Sequence, residues 1–138
     1  MSRILCIDYG AKRCGIAVTD PLKIIAGALT TVETKSIISF LKKYFSQEEV
    51  ELILIGEPKN LDDTDTHATP LVHQFIIRIK KEFASIPLQT IDERYTSKMA
   101  VQTMLNMGMK KKDRRKKENI DQLAATIMLQ EYLERFQI

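Results

Sequence analysis

Leu52-Ile53-Leu54-Ile55 is an unbroken apolar run stopped by Gly56. A strand with one wetted face alternates apolar and polar residues. A run with no polar member therefore predicts a central strand covered on both faces. Such a strand needs packing layers above and below it, and the rest of the chain must supply them. Hydrophobic residues make up 44% of 138, enough for a real core in one domain over residues 1–138.

The flanking patterns supply those layers. Arg3 to Tyr9 is rich in β-formers and ends at Gly10. Gly15 to Thr19 reads as a second strand stopped by Asp20-Pro21, and Ile24 to Val32 as a third. Together they predict an antiparallel meander. Ser36 to Phe45 places Ile37, Ile38, Leu41 and Phe45 at helical spacing. Leu61 to Pro70 is polar and reads as a loop. Val72 to Phe83 is helical, with Val72, Phe75, Ile76, Ile79 and Phe83 on one stripe. Leu88 to Ile91 follows Pro87 as a short strand. Ser97 to Met107 is helical, between an N-cap at Thr96 and a C′ residue at Gly108. Ile120 to Phe136 forms the last helix, with Ile120, Leu123, Ala124 and Ile127 as its expected buried stripe. The order β-β-β-α-β-α-β-α-α predicts an α/β domain, a mixed five-stranded sheet with helices on both faces.

Charge and composition narrow the class. The net charge is +3, and much of the positive charge lies between Lys110 and Lys117. No apolar run approaches the roughly 20 residues of a membrane span. The chain opens directly into a β-like run without a signal pattern, so the expected location is cytoplasmic. Cys6 and Cys14 are expected to stay reduced there. With His67 and His73 they make no zinc spacing.

Three acidic positions are candidates for chemistry, each with a structural alternative: Asp8 as a turn residue, Asp92 as an ion pair with Arg94, and Asp121 as an acid at a helix N-terminus, the stronger reading for Asp121 taken alone. Asp8 ends the run Ile4-Leu5-Cys6-Ile7, whose apolar neighbours predict burial. A buried carboxylate is costly unless paired, hydrogen-bonded or bound to metal. Gly10 and Gly15 allow close approach of a backbone or phosphate, and Lys12 and Arg13 add positive charge. Asp92-Glu93-Arg94-Tyr95-Thr96-Ser97 follows a strand and precedes a helix, at the sheet edge where ligands bind in open α/β folds. Asp121 lies near the start of the last helix, and its i+4 neighbour is the small Ala125. Carboxylates from a first strand, a late strand end and a C-terminal helix suit one or two Mg²⁺ or Mn²⁺, which prefer oxygen ligands. Two such ions, about 3.5–4 Å apart, activate water and stabilise the leaving oxygen in phosphodiester cleavage. No histidine base is required. Glu57 ends the central strand and is a fourth candidate ligand. Asp62, Asp63 and Asp65 read as solvated loop residues, and Asp20 as a turn residue. The run Lys110-Lys111-Lys112-Asp113-Arg114-Arg115-Lys116-Lys117 precedes the last helix and suits sequence-independent phosphate contacts.

These motifs have a familiar arrangement. Asp8-x-Gly10-x-Lys12-Arg13-x-Gly15, Gly56-x-Pro58, Asp92-Glu93-Arg94-x-Thr96-Ser97 and Asp121-x-x-Ala124-Ala125, in that order, resemble the YqgF/RuvX family over nearly the full length. Its members are described as pre-16S rRNA nucleases similar to Holliday-junction resolvases. The resemblance implies a ribonuclease H-like fold and metal-dependent nuclease chemistry. It implies Asp8, Glu93 and Asp121 as catalytic and metal-binding carboxylates. The chain departs from the family at Glu57, where an apolar residue is usual. That leaves Glu57 or Glu93 as the middle ligand, and the intact motif favours Glu93.

The expected function is therefore hydrolysis of structured RNA in 5′-end maturation of pre-16S rRNA, a step of ribosome biogenesis. Lys12, Arg13, Arg94, Thr96, Ser97 and the cations of Lys110–Lys117 would contact the nucleic acid. The expected assembly is a monomer or weak homodimer with no membrane partner. A resolvase acting on branched DNA and a non-catalytic nucleic-acid-binding module are the alternatives. An actin-like ATPase shares an early Asp-x-Gly, but those proteins are usually much larger and two-lobed.

Overall fold

The computed structural model describes residues 2–57, 69–92 and 117–136. Within them the chain runs β1 (Arg3–Asp8), β2 (Arg13–Thr19), β3 (Ala26–Glu33), a 3-10 turn (Thr34–Ser36), α1 (Ile37–Gln47), β4 (Val50–Glu57), α2 (Thr69–Glu82), β5 (Leu88–Asp92) and α3 (Lys117–Phe136). The predicted helix over Ser97 to Met107 lies outside the described residues, as do Leu61 to Ala68 of the predicted loop.

The strands form one five-stranded sheet in the order β3-β2-β1-β4-β5. β1, β2 and β3 pair antiparallel, which is the predicted meander. β4 pairs parallel with β1 on one side and β5 on the other. Strand alternation then sorts the side chains into two layers. On one face Leu5, Ile7, Ile16, Ile53 and Ile55 pack against Ile37, Ile38 and Leu41 of α1 and Val72, Phe75, Ile76 and Ile79 of α2. On the other face Ile4, Cys6, Ala17 and Leu54 pack against Ala125, Met128, Leu129 and Leu133 of α3. The apolar run of β4 is thus covered on both sides.

Cys6 and Cys14 are buried, belong to opposite layers and form no disulfide. Among the described residues, no helix is long and apolar enough to cross a membrane.

The stripe of α3 is corrected in part, since Ala124 is buried as expected. Ala124, Ala125, Met128, Leu129 and Leu133 are buried, while Leu123 and Ile127 are only half-buried. Ile120 has no described side chain. Apolar residues surround much of this helix, so periodicity alone leaves its buried face open. The sheet selects the face carrying two alanines because small residues let α3 approach β2 at the equally small Ala17 and the buried Gly15. Gln130 of α3 accepts a hydrogen bond from the backbone N–H of Ala26 at 3.1 Å, which ties the helix to the outer strand.

The β2–β3 turn is held by one carboxylate. Asp20 accepts backbone N–H bonds from Leu22, Ile24 and Ile25 at 3.1, 2.8 and 2.8 Å. Next to it, Lys23 adopts a left-handed φ of 59° and pairs with Glu51, which also accepts from Ser2. The bond from Ile25, with those from Ile24 and Leu22, lowers the Asp20 carboxyl below its ordinary value. Bonds from Lys23 and Ser2 lower Glu51. A carboxyl depressed in the folded state stabilises above its unfolded pKa, and that contribution disappears as pH falls through the folded one. Asp20→Ala is expected to lower the melting temperature at pH 7. The gap from wild type should narrow as pH falls below the ordinary aspartate value of about 4 and on through the lower folded one. A gap independent of pH in thermal melts would contradict this account.

Candidate active site at the carboxyl ends of the parallel strands

β1, β4 and β5 run parallel and end level with one another. Ile7 pairs with Ile55, and Glu57 with Asp92. Neighbouring strands lie about 4.8 Å apart. The sheet therefore carries Asp8, Glu57 and the start of the Asp92-Glu93 motif to one edge. Across β1 from β4, Asp8 pairs with Gly15, so that strand sets no side chain beside the carboxylate. Asp8, for which the apolar strand predicted burial, is half-buried at the last position of β1.

The loop after Asp8 is held from the end of β3 and from α2. Thr34 reaches it from the end of β3: its hydroxyl donates to the Gly10 carbonyl at 2.6 Å, and its backbone N–H donates to the Lys12 carbonyl at 2.9 Å. The same hydroxyl lies 3.5 Å from the Cys14 thiol. Tyr9 packs on Phe75 of α2 with ring centroids 4.5 Å apart. Burial, with a smaller effect of Cys14, raises the Tyr9 phenol, so this ring stays neutral at physiological pH. Gly10 is required sterically, because a Cβ there would overlap the Arg13 carbonyl oxygen.

The other predicted residues divide clearly. Lys12 is exposed in this loop and Arg13 is half-buried as the first residue of β2, so the structure brings both into the neighbourhood of Asp8. Asp121 is a residue of α3, one turn before the buried Ala124 and Ala125, but its side chain lies outside the described set. Glu57 and Asp92 belong to strands whose ends are described only in backbone and register. Glu93, Arg94, Thr96, Ser97 and Lys110 to Lys116 lie outside the described residues, and Lys117 begins α3. His73 is exposed on α2, and His67 lies outside the described residues. Among the described residues, no three His, Cys, Asp or Glu side chains converge as metal ligands.

Thr34 was not singled out in the sequence. Its contact to Gly10 spans 24 residues, and no local spacing rule connects them. Thr34→Val keeps the shape and the backbone bond to Lys12 but removes the hydroxyl. The loss should cost about 1 kcal/mol, read as a lower urea midpoint, and Thr34→Ser should restore most of it. Gly10→Ala should be the more damaging change, because backbone must move.

The comparisons with known proteins agree with this architecture. A family model described as RuvX, Holliday junction resolvase, matches residues 2–135. A protein of Christiangramia forsetii named "Putative pre-16S rRNA nuclease" is 51% identical over 133 residues, covering 96% of this chain and 98% of its own. A relative of the same name from Flavobacterium psychrophilum is 49% identical over 135 residues, 98% of each chain. Among solved structures, the Fowlpox virus resolvase with Holliday junction DNA superposes with a TM-score of 0.60 at 12% identity, covering 99% of each chain. T. thermophilus RuvC in complex with a Holliday junction substrate gives 0.57 at 14% identity, covering 99% of this chain and 97% of that one. The shared architecture is the ribonuclease H-like fold. With a family model spanning nearly the whole sequence and relatives about half identical over nearly their full lengths, this chain belongs to the RuvX family.

Proposed function

We propose that this RuvX-family nuclease is divalent-metal-dependent and hydrolyses phosphodiester bonds of structured RNA, in 5′-end maturation of pre-16S rRNA. The observation that carries the reading is the place of Asp8: a carboxylate at the end of a buried strand, level with two parallel neighbours, beside Gly15 and a pinned cationic loop. Oxygen donors at such an edge fit a hard cation such as Mg²⁺ or Mn²⁺. The rRNA substrate comes from the names of the relatives.

The layers of the strand residues that precede each of them favour Glu93 over Glu57 as the middle ligand. Asp8 shares the parity of Ile4 and Cys6, which face α3, the helix containing Asp121. Ile91, two residues before Glu93, packs in that same layer. Ile55, two residues before Glu57, packs in the opposite one. Asp8, Glu93 and Asp121 would hold the metal. Bound there, it would supply an activated water and stabilise the leaving oxygen. Glu93 would also orient the water. Lys12, Arg13 and Arg94 would hold phosphates, and Thr96, Ser97 and the Lys110–Lys117 run would extend the contact.

Purified protein is expected to cut a precursor 16S rRNA end with Mn²⁺ or Mg²⁺ and to stop on chelation. Asp8→Asn should fall by about 100-fold or more while its thermal midpoint is retained. Cleavage by Asp8→Asn at the wild-type rate would sink the assignment. A second reading, resolution of branched DNA, is favoured by the description of the family itself. A four-way DNA junction assayed beside the rRNA end separates the two by their relative kcat/KM. Nucleic-acid binding without cleavage of either would identify a non-catalytic binding module.

A further inference from the structure

A groove of about 580 Å³ opens beside the Asp8 loop, on the side away from β4. One wall is Ala11, Lys12 and Arg13. The other is Thr31 to Glu33 of β3, with Lys35 from the turn that follows. Three of its lining residues are cations and only Glu33 is acidic. Lys12 has no ion-pair partner among the described residues. Lys35 pairs with Glu33 at 3.2 Å, but these side chains are 82% and 64% exposed. Such a pair contributes little and exchanges readily for a phosphate.

The two walls are not independent. Thr34, the residue between Glu33 and Lys35, makes both hydrogen bonds that pin the Gly10–Lys12 segment. Arg13 and Glu33, one from each wall, are register partners in the β2–β3 ladder. The spacing of Lys12 and Lys35 is therefore set by the same contacts that shape the Asp8 loop. β3 is the outer strand of the sheet, so its far backbone edge pairs with no other strand among the described residues. Edge N–H groups can add phosphate contacts. Lys12 lies four positions after Asp8, so their Cα atoms are at most about 14 Å apart. A strand cut near Asp8 reaches this groove within a few nucleotides.

We propose that this groove binds the sugar-phosphate backbone of the nucleic-acid strand flanking the cleavage site, with Lys35 as a phosphate contact and Glu33 as the group that moderates it. This rests on the nuclease reading and assigns that site a direction: the flanking strand passes over the β2–β3 hairpin. Lys35 serves affinity, not bond breaking. Lys43, exposed on α1 and outside the groove, is the charge-matched control.

The test measures binding of a fluorescent single-stranded RNA, long enough to span groove and site, by anisotropy in EDTA over a salt series. The same variants are then assayed for cleavage with Mn²⁺. Lys35→Gln should weaken binding several-fold and flatten the log K against log salt slope by about 0.7. Its KM should rise while kcat stays at the wild-type value. Glu33→Gln should tighten binding, and Lys43→Gln should leave both affinity and slope unchanged. The effect of Lys35→Gln should vanish on an oligonucleotide too short to leave the Asp8 edge. If wild type cleaves while Lys35→Gln matches it in affinity, slope and KM, the groove proposal is overturned and the nuclease reading stands. If wild type neither binds nor cleaves, the nuclease reading fails as well.

Discussion

The parallel pairing of β1 with β4 is the constraint on which the rest depends. Leu5, Cys6 and Ile7 of β1 and Ile53, Leu54 and Ile55 of β4 are fully buried side by side, with helices above and below. Backbone groups in such a place must be satisfied by the sheet, because no water reaches them. The two strands are therefore rigid up to their last buried residues. Asp8 is the first side chain of β1 after that zone, where stiffness is still high and solvent begins. A carboxylate there is positioned by the core without being sealed inside it.

Two smaller devices complete the edge. Thr34 joins the end of β3 to the Gly10 loop, so the outer hairpin and the Asp8 loop behave as one unit. On the opposite face, small residues on α3 and β2 let the helix settle closely on the sheet. That close approach places the helix containing Asp121 on the layer whose parity Asp8 shares. The proposed metal site and groove thus draw on the same rigid scaffold from different sides.

Much of this was legible in the residues. The meander, the doubly covered β4 and the stripes of α1 and α2 follow from period-2 and period-3.6 patterns that record one residue's surroundings at a time. The capping role of Asp20 was readable in part, since Asp-Pro marks a turn. The boundaries of β2 were not: it begins at Arg13, two residues before the expected start, because pairing with β3 extends the ladder into polar sequence. The buried face of α3 was read only in part, at Ala124, because its apolar residues do not form one stripe. Glu93, Arg94 and most of the basic run belong to segments outside the described residues, so their roles remain those the motifs imply.

By itself the sequence determined the element types, their order, the covered character of the central strand and the identity of the acidic residues offered for metal binding. Those properties are local, set by side-chain shape and by the partition of each residue between water and core. Only the tertiary structure decided that β4 lies beside β1, that Ile91 and Ile55 face opposite layers, that α3 turns its alanines to β2, and that Thr34 and Lys35 frame the Asp8 loop. These depend on contacts between residues far apart in the chain, whose energies arise only after the sheet has closed and brought the partners together.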